Sequence, residues 1–392
     1  MKNEIQKYLL KDIAAIIAGQ SPESKYYNTN GEGIPFFQGK ADFGALYPNI
    51  RTYCSQPIRI AEKDDILLSV RAPVGPTNLS PGKVCIGRGL TAIRPGSSIR
   101  LKYLLYFFRY YEAQLQKSGT GTTFKAITQN VIKNIEVPVP SLDEQERIVS
   151  KIEELFSKLD ASVAELKTAK EKLKVYRQAV LKEAFAGEYP RISLKEIAKP
   201  LSGYAFKSKK YSINGKYVVV KIGNVKPFHF DFSRDFTKTI EVDDAILSSY
   251  LLTRGDCLIT MTGSRGKRDY GYVVMVEDQK NYLLNQRVAA LRFNPSVALP
   301  KFFEYYLSSP QYRNQFFSYE TGNVGQGNVG IKALTEPEVI CPPIKIQEEI
   351  IQKIEFRLSL CDSIEQTIDT SLQQAEALRQ SILKQAFEGR LI

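Results

Sequence analysis

Two stretches of this 392-residue chain are near copies: QERIVSKIEELFSKLD from Gln145 and QEEIIQKIEFRLSLCD from Gln347, 202 residues apart. The match continues at the same offset, with RQAVLKEAFAG (Arg177 to Gly187) returning as RQSILKQAFEG (Arg379 to Gly389), so both copies run from Gln to Gly without a gap. An internal repeat of this length constrains the architecture before any motif does. In both copies the apolar residues fall in steps of three and four, from Ile148 to Val180 and from Ile350 to Ile382. That is the period of a coiled-coil seam. The first stripe includes Leu155, Leu159, Leu166, Leu173 and Tyr176; the second includes Leu358, Cys361, Ile364, Leu372 and Leu378. SLDE at Ser141 to Glu144 has the form of a capping box, and Gly187 and Gly389 stand where a helix ends. A helix of about 43 residues is about 65 Å long, too long for one small domain to cover. Its stripe needs a partner, and the other copy supplies one. Antiparallel pairing is therefore expected; the alternative is two helices each packed on its own block.

The segments between the helices repeat as well. LLKDIAAIIAGQSP parallels SLKEIAKPLSGYAF, KDDILLSVRAPVG parallels RGDCLITMTGSRG, LTAIRP parallels VAALRF, and an aromatic helix follows in each. Tyr and Phe at helical spacing are expected to form core. Short strands rich in Val, Ile and Phe, mixed with few helices, read as α+β. The expected order is a block over 1–140, a helix over 141–189, a second block over 190–343 and a second helix over 344–392.

Charge follows this division. Residues 1–140 hold 18 Lys and Arg against 10 Asp and Glu, and residues 190–343 hold 21 against 14, so the blocks carry +8 and +7. The helix segments carry −1 and −2. Two basic blocks joined by near-neutral helices point to two contacts on one polyanion, since Lys and Arg release counterions from phosphates. Net charge alone fits a soluble protein of a basic proteome equally well. Glycine-rich segments, SGTGTTFKAIT and TGNVGQGNVGIK, offer small donors for a phosphate: Thr122 with Lys125 in the first, Gln326 and Asn328 in the second. They lack the GK[ST] of a nucleotide-binding loop, and surface turns are an equal reading.

Several classes of chemistry are not indicated. His229 is the single histidine, which removes His-based metal clusters and Ser-His-Asp or Cys-His catalysis. The five cysteines are scattered without a CxxC, so neither a zinc site nor a disulfide framework is expected. No apolar run approaches a membrane span and no leader is evident, which fits a cytoplasmic protein. No catalytic residue, cofactor or metal is expected.

The whole pattern resembles the specificity subunits of type I restriction–modification systems. The residues that carry the resemblance are IEVPVPSLDEQERIVSKIEELF, the two RQ…LK.AF.G helix ends, and the GDxL turn at Asp256 with its degenerate form at Asp64 and Asp65. The resemblance implies two target recognition domains, joined by two long helices that form an antiparallel coiled coil. Each domain reads one half of a split site in double-stranded DNA. The helices set the spacing and dock two modification methyltransferase subunits, expected at the helix ends and the adjoining block surfaces, and restriction subunits can join. It implies no catalysis in this chain, and NPSV and CPPI do not supply the NPPY-like tetrapeptide of an adenine methyltransferase. Two rival readings are a coiled-coil adaptor without sequence-specific DNA binding and a fragment of a fused methyltransferase-specificity enzyme. Base readout is expected from loop residues at strand exits: Gln38, Lys40, Arg71 and Asn78 in the first block, and Lys221, Asn224, Lys226, Arg265, Lys267 and Arg268 in the second.

Overall fold

The structure is a computed structural model that describes residues 5–119, 126–239, 241–278, 280–323 and 325–392. The chain divides into two compact units, Met1–Lys167 with Asp369–Ile392, and Thr168–Ile368. The division runs through both long helices, Leu142–Ala184 (43 residues) and Ile344–Phe387 (44 residues).

The first unit carries β1 (Lys7–Leu9), β2 (Ala14–Ala18), β3 (Ile34–Phe37), β4 (Ile66–Ser69), β5 (Thr77–Leu79), β6 (Val84–Ile86), β7 (Leu90–Pro95), helix α1 (Leu101–Ser118) and β8 (Glu136–Pro138). Its main sheet has four antiparallel strands in the order β2-β7-β4-β5. All four residues of β4 are buried, so its Ile66–Leu68 stretch reads as a continuous apolar run rather than an alternation. A second sheet is built on the parallel pair β3 and β6, with Phe36 opposite Cys85 and Phe37 opposite Ile86. The aromatic residues of α1 are core, as their spacing predicts: Tyr103, Phe107 and Phe108 are buried.

The second unit repeats this plan. It carries β9 (Arg191–Ser193), β10 (Ala198–Ser202), β11 (Tyr217–Val220), β12 (Cys257–Thr260), β13 (Thr262–Ser264), β14 (Val273–Met275), β15 (Tyr282–Leu284), β16 (Val288–Phe293), helices α2 (Pro300–Ser308) and α3 (Pro310–Ser318), β17 (Glu320–Thr321), β18 (Gln326–Val329) and β19 (Glu338–Ile340). The four-stranded order β10-β16-β12-β14 matches that of the first unit, and β11 runs parallel to β15 as β3 does to β6. The small pairs β1–β8 and β9–β19 are likewise equivalent.

Each block grips the start of its own long helix through a glutamine. Gln145 is fully buried; its Oε1 accepts from the Arg100 amide (2.8 Å), and its Nε2 donates to the carbonyls of Ser98 (3.1 Å) and Pro140 (2.9 Å). Gln347 is fully buried and does the same with the Leu299 amide (2.8 Å) and the carbonyls of Val297 and Pro342 (2.8 Å each). The bonded amides lie at the entries of α1 and α2, so one side chain ties the aromatic helix to the long helix. Ser141 accepts from the Glu144 amide at 3.3 Å, which forms one half of the expected capping box.

The repeated AFxG ends also have an identifiable role. Phe387 packs against Tyr103, Phe107 and Tyr110 of α1, with ring centroids 5.1–5.5 Å apart. In the other unit Phe185 packs edge-on against Phe302 and Tyr306 of α2. Gly389 adopts φ +69°, and the Arg390 amide closes on the Gln385 carbonyl at 2.8 Å, an αL helix stop that favours glycine.

Within each unit the two helices run antiparallel. In the first, Arg379 pairs with Asp160 and lies over the Phe156 ring, while Ile382 to Phe387 share a cluster with Ile148 and Ile152. In the second, Arg177 bonds Asp362 (2.7 Å) and Glu365 (3.0 Å), and Arg357 reaches Glu183 (2.8 Å). The seam is narrower than the sequence pattern implies. On the second helix Ile354, Cys361, Ile368, Ala375 and Ile382 are buried at strict seven-residue steps. Tyr176, Ile364 and Leu378, expected in the stripe, are 44%, 50% and 51% exposed. One partner helix covers only one such row.

Candidate nucleic-acid interface

In the first unit the strand exits converge. β3 ends at Phe37, β4 at Ser69, and the β6–β7 turn spans 87–89, so Gln38, Lys40, Arg71 and Arg88 line one shallow cleft. All four are exposed. The Ser69 hydroxyl donates to the carbonyls of Arg71 (3.1 Å) and Pro73 (2.9 Å), which fixes the backbone on which Arg71 sits. Arg71 also forms a β-bridge with Ala126, and the Ile127 amide donates to the Val70 carbonyl at 3.0 Å. Thr122 and Lys125 lie outside the described residues. Arg88 was not among the residues expected from sequence; only the fold brings its turn beside Gln38.

In the second unit the equivalent strand end extends into a small sheet. β13 pairs with β18, with Thr262 opposite Asn328 and Ser264 opposite Gln326. The loop after β13 carries Arg265, Lys267 and Arg268, so these five expected residues meet on one edge. The loop is held closed by Asp269, which accepts from the Ser264 amide (2.6 Å) and hydroxyl (3.1 Å). The bond from the Ser264 amide is the main cause holding the Asp269 carboxyl below its ordinary range, with Lys267 adding a smaller effect. Arg265 is drawn toward Glu320 (3.5 Å) and donates to the Gly322 carbonyl (3.1 Å), while the Arg268 guanidinium lies 4.7 Å from the Phe317 ring centre. Lys267 is exposed.

Four expected residues are placed differently from an open strand-exit position. Asn78 is buried; its Oδ1 accepts from the Gly44 amide (3.0 Å) and its Nδ2 donates to the Gly44 (3.1 Å) and Thr77 (3.0 Å) carbonyls. Asn224 is buried, accepting from the Lys221 amide (2.8 Å) and donating to the carbonyls of Asp231 (3.1 Å) and Asp235 (2.7 Å). Both amides are spent on backbone, so these two side chains shape loops rather than face a ligand; this corrects the sequence expectation. Lys221 is tied to Thr237 (2.8 Å) and Asp235 (3.1 Å). Lys226 is half-buried in a short hairpin opposite His229.

What the arrangement offers is chemically uniform: exposed guanidinium, ammonium and amide groups on loops anchored by buried polar residues. Arg is suited to guanine edges and phosphates, Gln and Asn to adenine, and Lys to phosphates. Among the described residues no group of His, Cys, Asp and Glu could hold a metal ion, and no helix is long and apolar enough to cross a membrane.

The type I restriction modification DNA specificity domain matches this chain over residues 2–172 and 187–374. The putative type I restriction enzyme MjaX specificity subunit of Methanocaldococcus jannaschii is 44% identical over 138 residues, 35% of this chain and 32% of that protein, so the matched part spans about a third of the relative. The EcoKI specificity subunit of Escherichia coli K12 is 25% identical over 332 residues, covering 79% of this chain and 70% of its own. Among solved structures, a chain of a type I R-M system, from work on its complex assembly and conformational transition, aligns with a TM-score of 0.71 at 18% identity and 98% coverage of both chains. The HsdS subunit from Thermoanaerobacter tengcongensis aligns with a TM-score of 0.55 at 17% identity, covering 98% and 97%. At these identities the structural likeness is one of fold.

Proposed function

This chain belongs to the family of type I restriction–modification DNA specificity proteins, and from that membership we propose that each of its two blocks reads one half of a bipartite site in double-stranded DNA. It is a DNA-recognition component of a restriction–modification complex, not its catalytic one. The observation that carries the bipartite reading is the repeated strand-end edge. Arg71 in one unit and Arg265, Lys267 and Arg268 in the other follow the equivalent strands β4 and β12, the latter extended by β13, with Gln38 and Lys40 beside Arg71, in two blocks of net charge +8 and +7. The blocks read as 1–140 and 190–343, with the long helices as spacer.

The long helices set the separation of the half-sites and dock two methyltransferase subunits, to which restriction subunits add; the setting is cytoplasmic. The docking face favoured by the exposed apolar residues lies along the helix flank. On the second helix Phe356, Leu360 and Ile364, spaced four apart, are 67%, 49% and 50% exposed, and Val175 on the first helix is 71% exposed. An apolar row at this spacing is the pattern by which one helix takes another.

The test is to produce the chain with methyltransferase subunits of a family system and map the modified bases. The expected result is one split motif with an unread spacer of fixed length. A complex that assembles on DNA without sequence preference would support the adaptor reading instead.

A further inference from the structure

The β6–β7 turn and its counterpart between β15 and β16 are pinned by the same set of backbone hydrogen bonds in both repeats. Each is closed by one hydrogen bond, Leu90 to Gly87 (3.0 Å) and Val288 to Asn285 (3.3 Å). Each is anchored at its first residue, Gly87 to the Phe37 carbonyl (2.9 Å) and Asn285 to the Val220 carbonyl (3.2 Å). Each is anchored again at its third residue, whose carbonyl accepts from Val70 (3.0 Å) or Met261 (2.9 Å). Gly89 and Arg287 are therefore structural equivalents.

Their side chains are not. A Cβ on Gly89 would lie 2.4 Å from the Gln38 carbonyl oxygen, so the first repeat cannot place a side chain there. It places its arginine one position earlier, with exposed Arg88 held between the buried Gly87 and Gly89. The second repeat puts Arg287 at the position itself, exposed and with φ +69°. That conformation favours glycine at the third position of a tight turn, and a bulky residue there is strained. Among the described residues neither guanidinium has a hydrogen-bond or ion-pair partner. Both repeats thus hold one unpaired arginine on a rigid turn at the end of the parallel strand pair, and one does so against its local conformational preference.

We propose that Arg88 and Arg287 are specificity-determining residues, each reading a base in its own half-site from this turn. The proposal rests on the bipartite DNA-recognition reading above. A turn whose backbone groups are pinned leaves little conformational freedom to lose on binding, and arginine at such a point is suited to two-pronged recognition of guanine. Arg88 shares its cleft with Gln38, Lys40 and Arg71, which supply phosphate or neighbouring base contacts.

The test is selection of bound duplexes from a randomised double-stranded DNA library by the full-length chain with its methyltransferase subunits, for the native sequence, Arg88→Lys and Arg287→Gly. The native chain is expected to enrich a bipartite motif. Arg88→Lys keeps the charge, and should lose discrimination at one position of one half by roughly tenfold or more. Arg287→Gly should lose discrimination in the other half only, while its thermal midpoint rises because the strained residue is relieved. That opposite movement of stability and recognition separates reading from a structural role. Native enrichment of a bipartite motif with both variants enriching it unchanged would overturn this inference and leave the bipartite reading standing. No motif from the native chain would overturn both.

Discussion

Arg94 grips the buried carboxylate of Asp65 with two hydrogen bonds of 2.8 Å, and Arg292 repeats the grip on Asp256 at 2.8 and 2.7 Å. Each aspartate also accepts from the amide three residues before it, Glu62 or Thr253, at 2.8 Å. The GDxL turn is thus a clamp that fixes the entry of the central strand to the neighbouring strand. Its strand leads directly to the loop bearing Arg71 in one unit, and through β13 to the loop bearing Arg265 in the other. Each arginine is part-exposed, so its loss of a partner is softened by water. Asp65→Ala and Asp256→Ala should each destabilise their own unit by about 2 kcal/mol, chiefly through the unsatisfied amide. Urea unfolding checks this; no change in midpoint would remove the clamp from the account.

Loss of Gln145 or Gln347 should do more damage. Alanine at either position strands one amide and takes the side-chain amide donor away from two carbonyls in a buried setting, and a loss of about 2–4 kcal/mol is expected. Glutamate keeps the acceptor but aims a second oxygen at two carbonyl oxygens. Gln145→Glu should therefore be at least as destabilising as Gln145→Ala at neutral pH. Thermal unfolding of the two variants checks the order, and a native-like Gln145→Glu would contradict the assigned bonds.

The loop bearing Arg265, Lys267 and Arg268 should be insensitive to pH across the neutral range. Asp269 is held below its ordinary value, so its contribution to loop closure is fully present above the unfolded value near 3.8 and is lost as pH falls through the lowered folded value. Asp269→Ala should open the loop at neutral pH and weaken recognition of one half-site only. DNA binding by the native chain and this variant, measured from neutral to acid pH, checks it. A native chain that loses that half-site on mild acidification, well above the aspartate range, would contradict the role given to Asp269.

The helix flank can be tested without touching either block. Phe356 is 67% exposed and contributes little to folding, so Phe356→Asp should leave the unfolding free energy within about 0.5 kcal/mol of native. Its complex with methyltransferase subunits should weaken by about tenfold or more, read by titration. Unchanged assembly would move the docking surface elsewhere.

The repeat, the antiparallel helices and the aromatic cores were legible because they depend on period and burial, which sequence carries directly. The site was legible only in part. Arg71 and Arg265 follow buried strands and could be placed at strand ends. Asn78 and Asn224 could not be told from them, because whether an amide faces solvent or a loop backbone is decided by residues distant in sequence, such as Gly44 and Asp235. Arg88 and Arg287 gave no shared signal, since with LTAIRP set against VAALRF the two arginines stand one position apart, and only the turn geometry shows that both lie on the same turn. Tyr176, Ile364 and Leu378 belong to the sequence stripe yet lie outside the buried row, because a heptad pattern does not say how many partners cover it.

The central claim is that each block reads its own half-site. The most direct measurement replaces residues 1–140 with the matching block of another family member and maps the bases modified by the hybrid with its methyltransferase subunits. The account predicts a bipartite motif with one half changed, the other half retained and the spacer length unchanged. A motif altered in both halves, or a continuous site unrelated to either parent, would contradict it.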